Sequence, residues 1–221
     1  VPLFNEIILP ENIRRVGPLA TWGNGRANTI VLSPDGNILA VGTGIGVFLY
    51  DSLNFGYITS LSTPFPVQSI AFSPDNLSIA LGQSQGRIDV YELERQTLVT
   101  RLTVSDVTFS NAHRVRVLFS GDGAYLTYLT EINNSLYINR WLTASWRAAG
   151  AFVMNSGLVT YVNPSADLVG VVTPNQLILQ SLGFSEESRL IDLPTSLPRA
   201  FWESIPSNQG DIAPSSAGDF I

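Results

Sequence analysis

The chain contains no cysteine and no lysine, and only one of its 221 residues is histidine. Without cysteine there is no disulfide, no thiol nucleophile and no zinc–thiolate site. All twelve basic residues are arginine, and they stand against 18 acidic residues. The resulting net charge of −6 argues against a nucleic-acid-binding surface, which would need many clustered basic residues.

Charge and long apolar runs are also scarce. Charged side chains make up 14% of the chain, well below the usual quarter, so Ser, Thr, Asn and Gln must form most of the polar surface. No apolar run reaches the roughly 18 to 20 residues that cross a bilayer, and we expect no membrane-spanning segment. A hydrophobic content of 45% is nevertheless ample for a packed core, which excludes disorder for most of the chain.

The chain contains an internal repeat with a spacing of 40 residues. Residues 30–42, IVLSPDGNILAVG, are matched by residues 70–82, IAFSPDNLSIALG. Each match is followed by a glycine turn, at Gly46 or Gly86, and then by a third apolar segment. Short runs of Val, Ile, Leu, Phe and Tyr between Pro-Asp-Gly or glycine turns are typical of β-strands joined as hairpins. The matches therefore predict a repeated β-strand unit.

Further copies of the unit follow. A third begins at Val117, a more divergent fourth begins at Val159, and residues 212–221 align with the start of the second copy. Each complete unit is predicted to contain four short strands. In the first unit these are Thr29 to Leu32, Ile38 to Thr43, Val47 to Asp51 and Tyr57 to Leu61.

Four strands per roughly 40 residues predict an all-β protein built from the four-stranded antiparallel blades of a β-propeller. We expect a lead-in with a short helix over residues 1–18 and a propeller over residues 19–221. The blades are predicted near 29–61, 68–103, 115–152 and 157–193, with a partial blade at 200–221. About four complete blades and a partial one indicate a fragment of a larger propeller. The alternative is a closed five-bladed ring in which residues 3–22 complete a blade with residues 200–221.

These motifs resemble the WD-repeat family, and in particular its divergent bacterial members. The likeness rests on the Ser-Pro-Asp turns, the Leu-Ala-x-Gly strand at 39–42, and the third strand that closes on Tyr50 and Asp51, where the family often has Trp-Asp. No Trp-Asp occurs and no Gly-His precedes a first strand. The buried Asp-His-Ser/Thr-Trp network of the family therefore cannot be placed on any blade.

The resemblance and the lack of a catalytic set of residues lead us to expect a non-catalytic scaffold that binds protein partners, with no cofactor, metal or nucleic acid. Two alternatives stay open. The propeller is the gate or substrate-selecting domain of a longer exported enzyme, or it is a structural subunit of a cell-surface or extracellular assembly. The exported family members, the polar surface and the missing cysteine favour an extracytoplasmic location in the periplasm, on the cell surface or in the medium; the cytoplasm is the alternative.

Five residues are candidates for contact with a partner. Arginines in the third unit form a basic cluster in an otherwise acidic chain, and a guanidinium group pairs with carboxylates or phosphates through two hydrogen bonds. These arginines are Arg114, Arg116, Arg140 and Arg147. The alternative is that they are solvated residues that protect strand edges from pairing. Trp202 is the fifth candidate because tryptophan is favoured at binding hot spots, whereas Trp141 is predicted to pack in the core.

Other chemistry-bearing residues are predicted to have structural roles. His113 has no carboxylate or histidine nearby in sequence and is predicted to lie in a loop before the third unit. Asp35, Asp75 and Asp122 occupy equivalent turns and are predicted to cap them. The glycine-rich segment 42–46 is predicted to be a hairpin turn, because no helix follows whose N-terminus could hold a phosphate.

Overall fold

The structure, a computed structural model, describes residues 26–104, 114–132, 135–155, 159–162, 168–173, 176–181 and 189–192. The predicted lead-in with its short helix, the partial fifth blade, His113 and Trp202 lie outside these residues. Within them the chain is β-structure and turns, apart from one 3-10 turn at Ser84–Gly86. No helix in these ranges is long and apolar enough to cross a membrane.

Sixteen strands in the described ranges form four sheets of four antiparallel strands, each paired in chain order. This confirms the predicted all-β architecture of four-stranded propeller blades. Blade 1 contains β1 (Ala27–Leu32), β2 (Ile38–Thr43), β3 (Gly46–Asp51) and β4 (Tyr57–Ser62). Blade 2 contains β5 (Val67–Phe72), β6 (Ser78–Gln83), β7 (Arg87–Glu92) and β8 (Thr97–Thr103).

The third and fourth sheets follow the same plan. Blade 3 contains β9 (Arg114–Phe119), β10 (Tyr125–Ile132), β11 (Ser135–Leu142) and β12 (Ala148–Asn155). Blade 4 contains β13 (Val159–Val162), β14 (Leu168–Val172), β15 (Gln176–Ser181) and β16 (Arg189–Asp192).

The first turn of each of the first three blades is held by a serine and an aspartate. In blade 1 the buried Ser33 hydroxyl donates to Asp35 Oδ1 at 2.5 Å and accepts from the Ile38 N–H at 2.8 Å. Asp35 Oδ1 also accepts from the Asn37 N–H at 3.1 Å. The side chains therefore satisfy backbone groups that the tight turn leaves unpaired.

The same bonds recur in the next two blades, where Ser73 donates to Asp75 and Ser120 donates to Asp122, each at 2.5 Å. The predicted turn-capping role of all three aspartates is confirmed. The residue after each aspartate has a left-handed backbone, with φ of 76° at Gly36, 60° at Asn76 and 71° at Gly123. Glycine and asparagine tolerate this conformation better than other residues.

In blades 1 to 3, the first strands of neighbouring blades lie next to each other. The Val117 N–H of β9 donates to Ser69 Oγ of β5 at 3.0 Å, and Asn28 Nδ2 of β1 donates to the Val67 carbonyl oxygen of β5 at 3.1 Å. The fourth strands lie on the outside, where β4 and β8 are mostly exposed. The first strands thus form the inner wall and the fourth strands the rim.

Apolar side chains fill each space between blades. In β6, Ile79 and Leu81 pack in the core against blade 1, whereas Ala80 packs in the core against blade 3. All three are fully buried. Successive side chains of a strand point to opposite faces, so one middle strand supplies both interfaces. The predicted core residue Trp141 lies between blades 2 and 3 with 7% of its surface exposed.

Candidate functional site

A cavity of about 330 Å³ opens between blades 2 and 3. It lies at the end of the blades that carries the turn between the first and second strands and the turn between the third and fourth strands. These turns lie side by side, since Thr143 Oγ1 donates to the Gly123 carbonyl oxygen at 2.7 Å. We call this end of the blades the turn face. The cavity is lined by residues of both blades, including Asp75, Ser78, Phe119, Asp122, Gly123 and Trp146.

At the cavity, the turn of blade 3 lacks a side chain that the equivalent turn of blade 2 possesses. Between blades 1 and 2, Asn76 Oδ1 accepts from the Asp35 N–H at 3.2 Å and bridges the two neighbouring turns. Gly123 occupies the position of Asn76 in blade 3 and has no side chain to make this bridge. A Cβ atom at Gly123 would meet its nearest neighbour, Pro74, at 3.7 Å, which is ordinary contact. The space across from Pro74 is therefore left open.

A second difference between the blades concerns the turn between the third and fourth strands. The residue of this turn with a left-handed backbone is Gln96 in blade 2 and Trp146 in blade 3, each with φ of 55°. Gln96 Oε1 accepts from Thr59 Oγ1 of blade 1 at 2.8 Å, so it ties two blades together. Trp146 instead packs, partly buried, against the core between blades 2 and 3 and forms one wall of the cavity.

Two carboxylates carry the charge of the cavity lining. Hydrogen bonds from Ser73 and from the Leu77 N–H hold the pKa of Asp75 below its usual value, and those from Ser120 and the Ala124 N–H do the same for the pKa of Asp122. Both side chains are therefore ionised at neutral pH. These bonds use Oδ1 of each carboxylate, and no hydrogen bond between described residues uses either Oδ2.

The lining does not form a metal site of the usual kind. Binding of a hard cation requires several oxygen ligands, and two carboxylates are few. Across the described ranges, no group of three or more His, Cys, Asp or Glu side chains could hold a metal ion. The cavity instead combines two anions, hydroxyl groups and an aromatic wall, which are the elements of a site for an organic group.

We expect the turn carboxylates to make stability fall in acid. The pKa values of Asp35, Asp75 and Asp122 are all lowered in the folded state, chiefly by the hydrogen bond from the neighbouring serine. A lowered pKa means that the folded state binds fewer protons, so the stabilisation is present above the unfolded value of 3.8 and is lost as the pH falls through the folded values. Melting temperatures between about pH 5 and about pH 2 should show this loss. The melting temperature of the Asp35→Asn variant should fall less over this pH range than that of the unmodified chain. An equal fall in both would contradict the assignment.

The described arginines of the predicted cluster differ in exposure. Arg140 is buried, with 3% of its surface exposed, and its guanidinium carbon lies 3.9 Å from the centroid of the Tyr125 ring. Arg116 on β9 is half-buried and Arg147 is exposed. The Arg114 side chain lies outside the described part of the structure. The prediction that Arg140 contacts a partner at the surface is therefore corrected, because its side chain is enclosed.

Sequence reasoning missed a buried ionic cluster between blades 1 and 2. Asp89 on β7 is fully buried and accepts from Arg87 Nε at 3.1 Å and from Arg101 Nε at 2.9 Å. Burial alone would raise the pKa of Asp89, but the hydrogen bonds from these two arginines outweigh it and the pKa is lowered. The available signal was an aspartate between two apolar residues of a predicted strand, Ile88 and Val90.

Comparison with known proteins shows that the chain is distantly similar to two sequences, one of which is named as a WD-repeat protein. It is 32% identical over 125 residues to WD repeat-containing protein VIP3 of Arabidopsis thaliana, and this match covers 47% of this chain and 37% of that protein. It is 30% identical over 141 residues to Protein NEDD1 of Homo sapiens, which covers 60% of this chain and 20% of that protein. No protein-family model matches.

Among solved structures, Kuenenia stuttgartiensis hydrazine synthase superposes with a TM-score of 0.59 at 17% identity, over 75% of this chain and 53% of that chain. At this identity the likeness shows the fold alone. The chain spans between a fifth and about a third of the two sequence relatives, and about half of the solved chain.

Proposed function

We propose that the chain is a non-catalytic protein-interaction scaffold and that the cavity between blades 2 and 3 receives a segment of its partner. One observation carries the proposal: the repeat is broken where the cavity opens. Asn76 and Gln96 bridge blades 1 and 2, whereas Gly123 and Trp146 leave the space between blades 2 and 3 open. The distant WD-repeat homology supports a scaffold role by analogy only.

The surroundings of the cavity suit a protein partner. At about 330 Å³ it holds an anchoring side chain, whereas a stable interface buries about 800 Å² on each partner. Additional contact area must therefore come from the neighbouring turns. Leu77 and Leu142 are adjacent in sequence to lining residues, and they are 61% and 38% exposed. Exposed apolar side chains beside the cavity offer surface that a bound partner can bury.

The test compares two matched substitutions. Gly123→Asn introduces the side chain that bridges the turns of blades 1 and 2, at a left-handed residue that asparagine tolerates. Gly36→Asn makes the same change at φ of 76°, where a Cβ meets nothing within 4 Å and the residue does not line the cavity between blades 2 and 3. We expect immobilised Gly123→Asn to capture at least about tenfold less partner from extract of the source organism, while Gly36→Asn captures as much as the unmodified chain.

Equal capture by both variants would contradict the proposal, and so would the absence of any partner that the unmodified chain retains. Unfolding in urea provides the control for folding. Both variants should lie within about 1 kcal/mol of the unmodified chain, because the left-handed backbone admits asparagine at small cost.

A further inference from the structure

We infer that the group received by the cavity between blades 2 and 3 is an arginine side chain of the partner. The inference rests on the proposed function and adds the chemistry of recognition. It is carried by three features of the lining: its charge, the carboxylate Oδ2 atoms that accept no hydrogen bond from a described residue, and its aromatic wall.

The charge of the lining is negative. Both of its charged side chains, Asp75 and Asp122, are acidic, and both are ionised at neutral pH. An anionic or phosphorylated group would be repelled here. A neutral group would leave the two carboxylate charges without a partner at an interface from which water has been excluded, which is unfavourable. A cation is the complementary occupant.

The carboxylates are positioned by the fold and still have capacity to accept hydrogen bonds. The serine hydroxyl and the backbone N–H fix Oδ1 of each side chain within its turn. The two Oδ2 atoms have no hydrogen-bond partner among the described residues. Acceptors that the fold already holds in place lose little entropy when a ligand binds. They suit a donor with several N–H groups in one plane, because such a group can bond to fixed carboxylate oxygens through more than one hydrogen bond.

The aromatic wall distinguishes guanidinium from ammonium. Trp146 and Phe119 both line the cavity, and Phe119 has 7% of its surface exposed. A guanidinium group is planar and weakly hydrated, so it stacks on an aromatic face while its edge bonds to carboxylates. An ammonium group is a compact and strongly hydrated point charge that gains less from such a wall.

The chain's own nearby arginine does not remove this preference. Arg140 contributes to the lowered pKa of Asp122 through its positive charge, but it is buried over the Tyr125 ring and does not line the cavity. This enclosed cation thus acts on Asp122, while no arginine contributes to the lowered pKa of Asp75. The local field remains negative, although weaker than two isolated carboxylates would produce.

The experiment is an NMR titration of the ¹⁵N-labelled chain with the blocked peptide acetyl-Ala-Arg-Ala-amide. The indole N–H signal of Trp146 is assigned by its loss in Trp146→Phe. We expect a saturable shift of this signal, with binding at least about tenfold tighter than that of the citrulline peptide, which has the same shape without the charge. Raising the salt concentration should weaken binding, because the attraction is between charges near the surface.

The two glycine variants are the matched controls. Gly123→Asn should abolish the shift and Gly36→Asn should preserve it. Equal binding of the citrulline peptide, or of a lysine peptide, would overturn the assignment of a guanidinium site, and so would a failure of the arginine peptide to bind. If the arginine peptide fails while Gly123→Asn still loses the captured partner, the inference is wrong and the scaffold proposal stands. If Gly123→Asn keeps the partner, the scaffold proposal itself is wrong.

Discussion

The Asp89→Asn variant is expected to lose about 3 kcal/mol of unfolding free energy, which is near the lower end of the range for breaking a buried ion pair. The Asp89 side chain is 1% exposed and bonds to two arginines. Asparagine has nearly the same volume but cannot balance their charge. Arg87 is 18% exposed and Arg101 is 48% exposed, so Arg101 can turn towards water while Arg87 is left largely enclosed. This partial escape keeps the loss from being larger.

Urea unfolding measures the loss as a lower midpoint with an unchanged slope. The matched control is Arg95→Ala, which removes the ion pair between Arg95 and Glu92 in the same blade. These side chains are 73% and 30% exposed, and the effect should be within about 0.5 kcal/mol. Equal midpoints for Asp89→Asn and Arg95→Ala would show that the buried cluster adds no stability beyond that of a surface pair.

The strands could be predicted from sequence because their signals are local. Turns of the Ser-Pro-Asp type separate the first and second strands, and the predicted strand Ile38 to Thr43 matches β2 at both ends. Other predicted strand ends differ from the observed ends by one or two residues; β1, for example, begins at Ala27 instead of the predicted Thr29. Ends of strands depend on pairing with the neighbouring strand, which the local pattern does not contain.

The arginine cluster was predicted from closeness in sequence, and the structure shows why that was insufficient. Arg140 follows Leu136 and Ile138 at alternate positions of β11, and all three are buried. Alternation places them on one face of the strand, and that face packs towards blade 4. Applying the two-residue period to the arginine would have predicted burial.

The cavity could not be predicted because it depends on the comparison of two blades in space. Gly123 reads in sequence as an ordinary turn glycine, and Trp146 as an aromatic residue in a loop. The role of Gly123 and Trp146 at the cavity becomes clear only from the structure, in which Asn76 and Gln96 bridge blades 1 and 2 at the equivalent positions. The sequence signal was Asn76 itself, the one residue that replaces glycine in the Ser-Pro-Asp-Gly turn of the first two copies.

The Gly46→Ala variant is expected to lose at least about 3 kcal/mol, since it combines backbone strain with overpacking. Gly46 has φ of 147°, a conformation that residues with a Cβ rarely adopt. Its Cβ would overlap the Leu61 carbonyl oxygen and lie 3.0 Å from the Ser62 Cα. Both atoms belong to the backbone of β4, which pairs directly with β3, so relief requires that the two strands separate at this end.

Gly44→Ala is the control from the same hairpin, because a Cβ at Gly44 meets nothing within 4 Å. We expect its unfolding free energy to change by less than about 1 kcal/mol. If Gly46→Ala is too unstable for a urea titration, protease resistance of the two variants ranks them, since the separated β3–β4 pair opens first to cleavage. Equal resistance and equal midpoints would mean that β4 can shift at little cost and that the outer strand contributes little to blade 1.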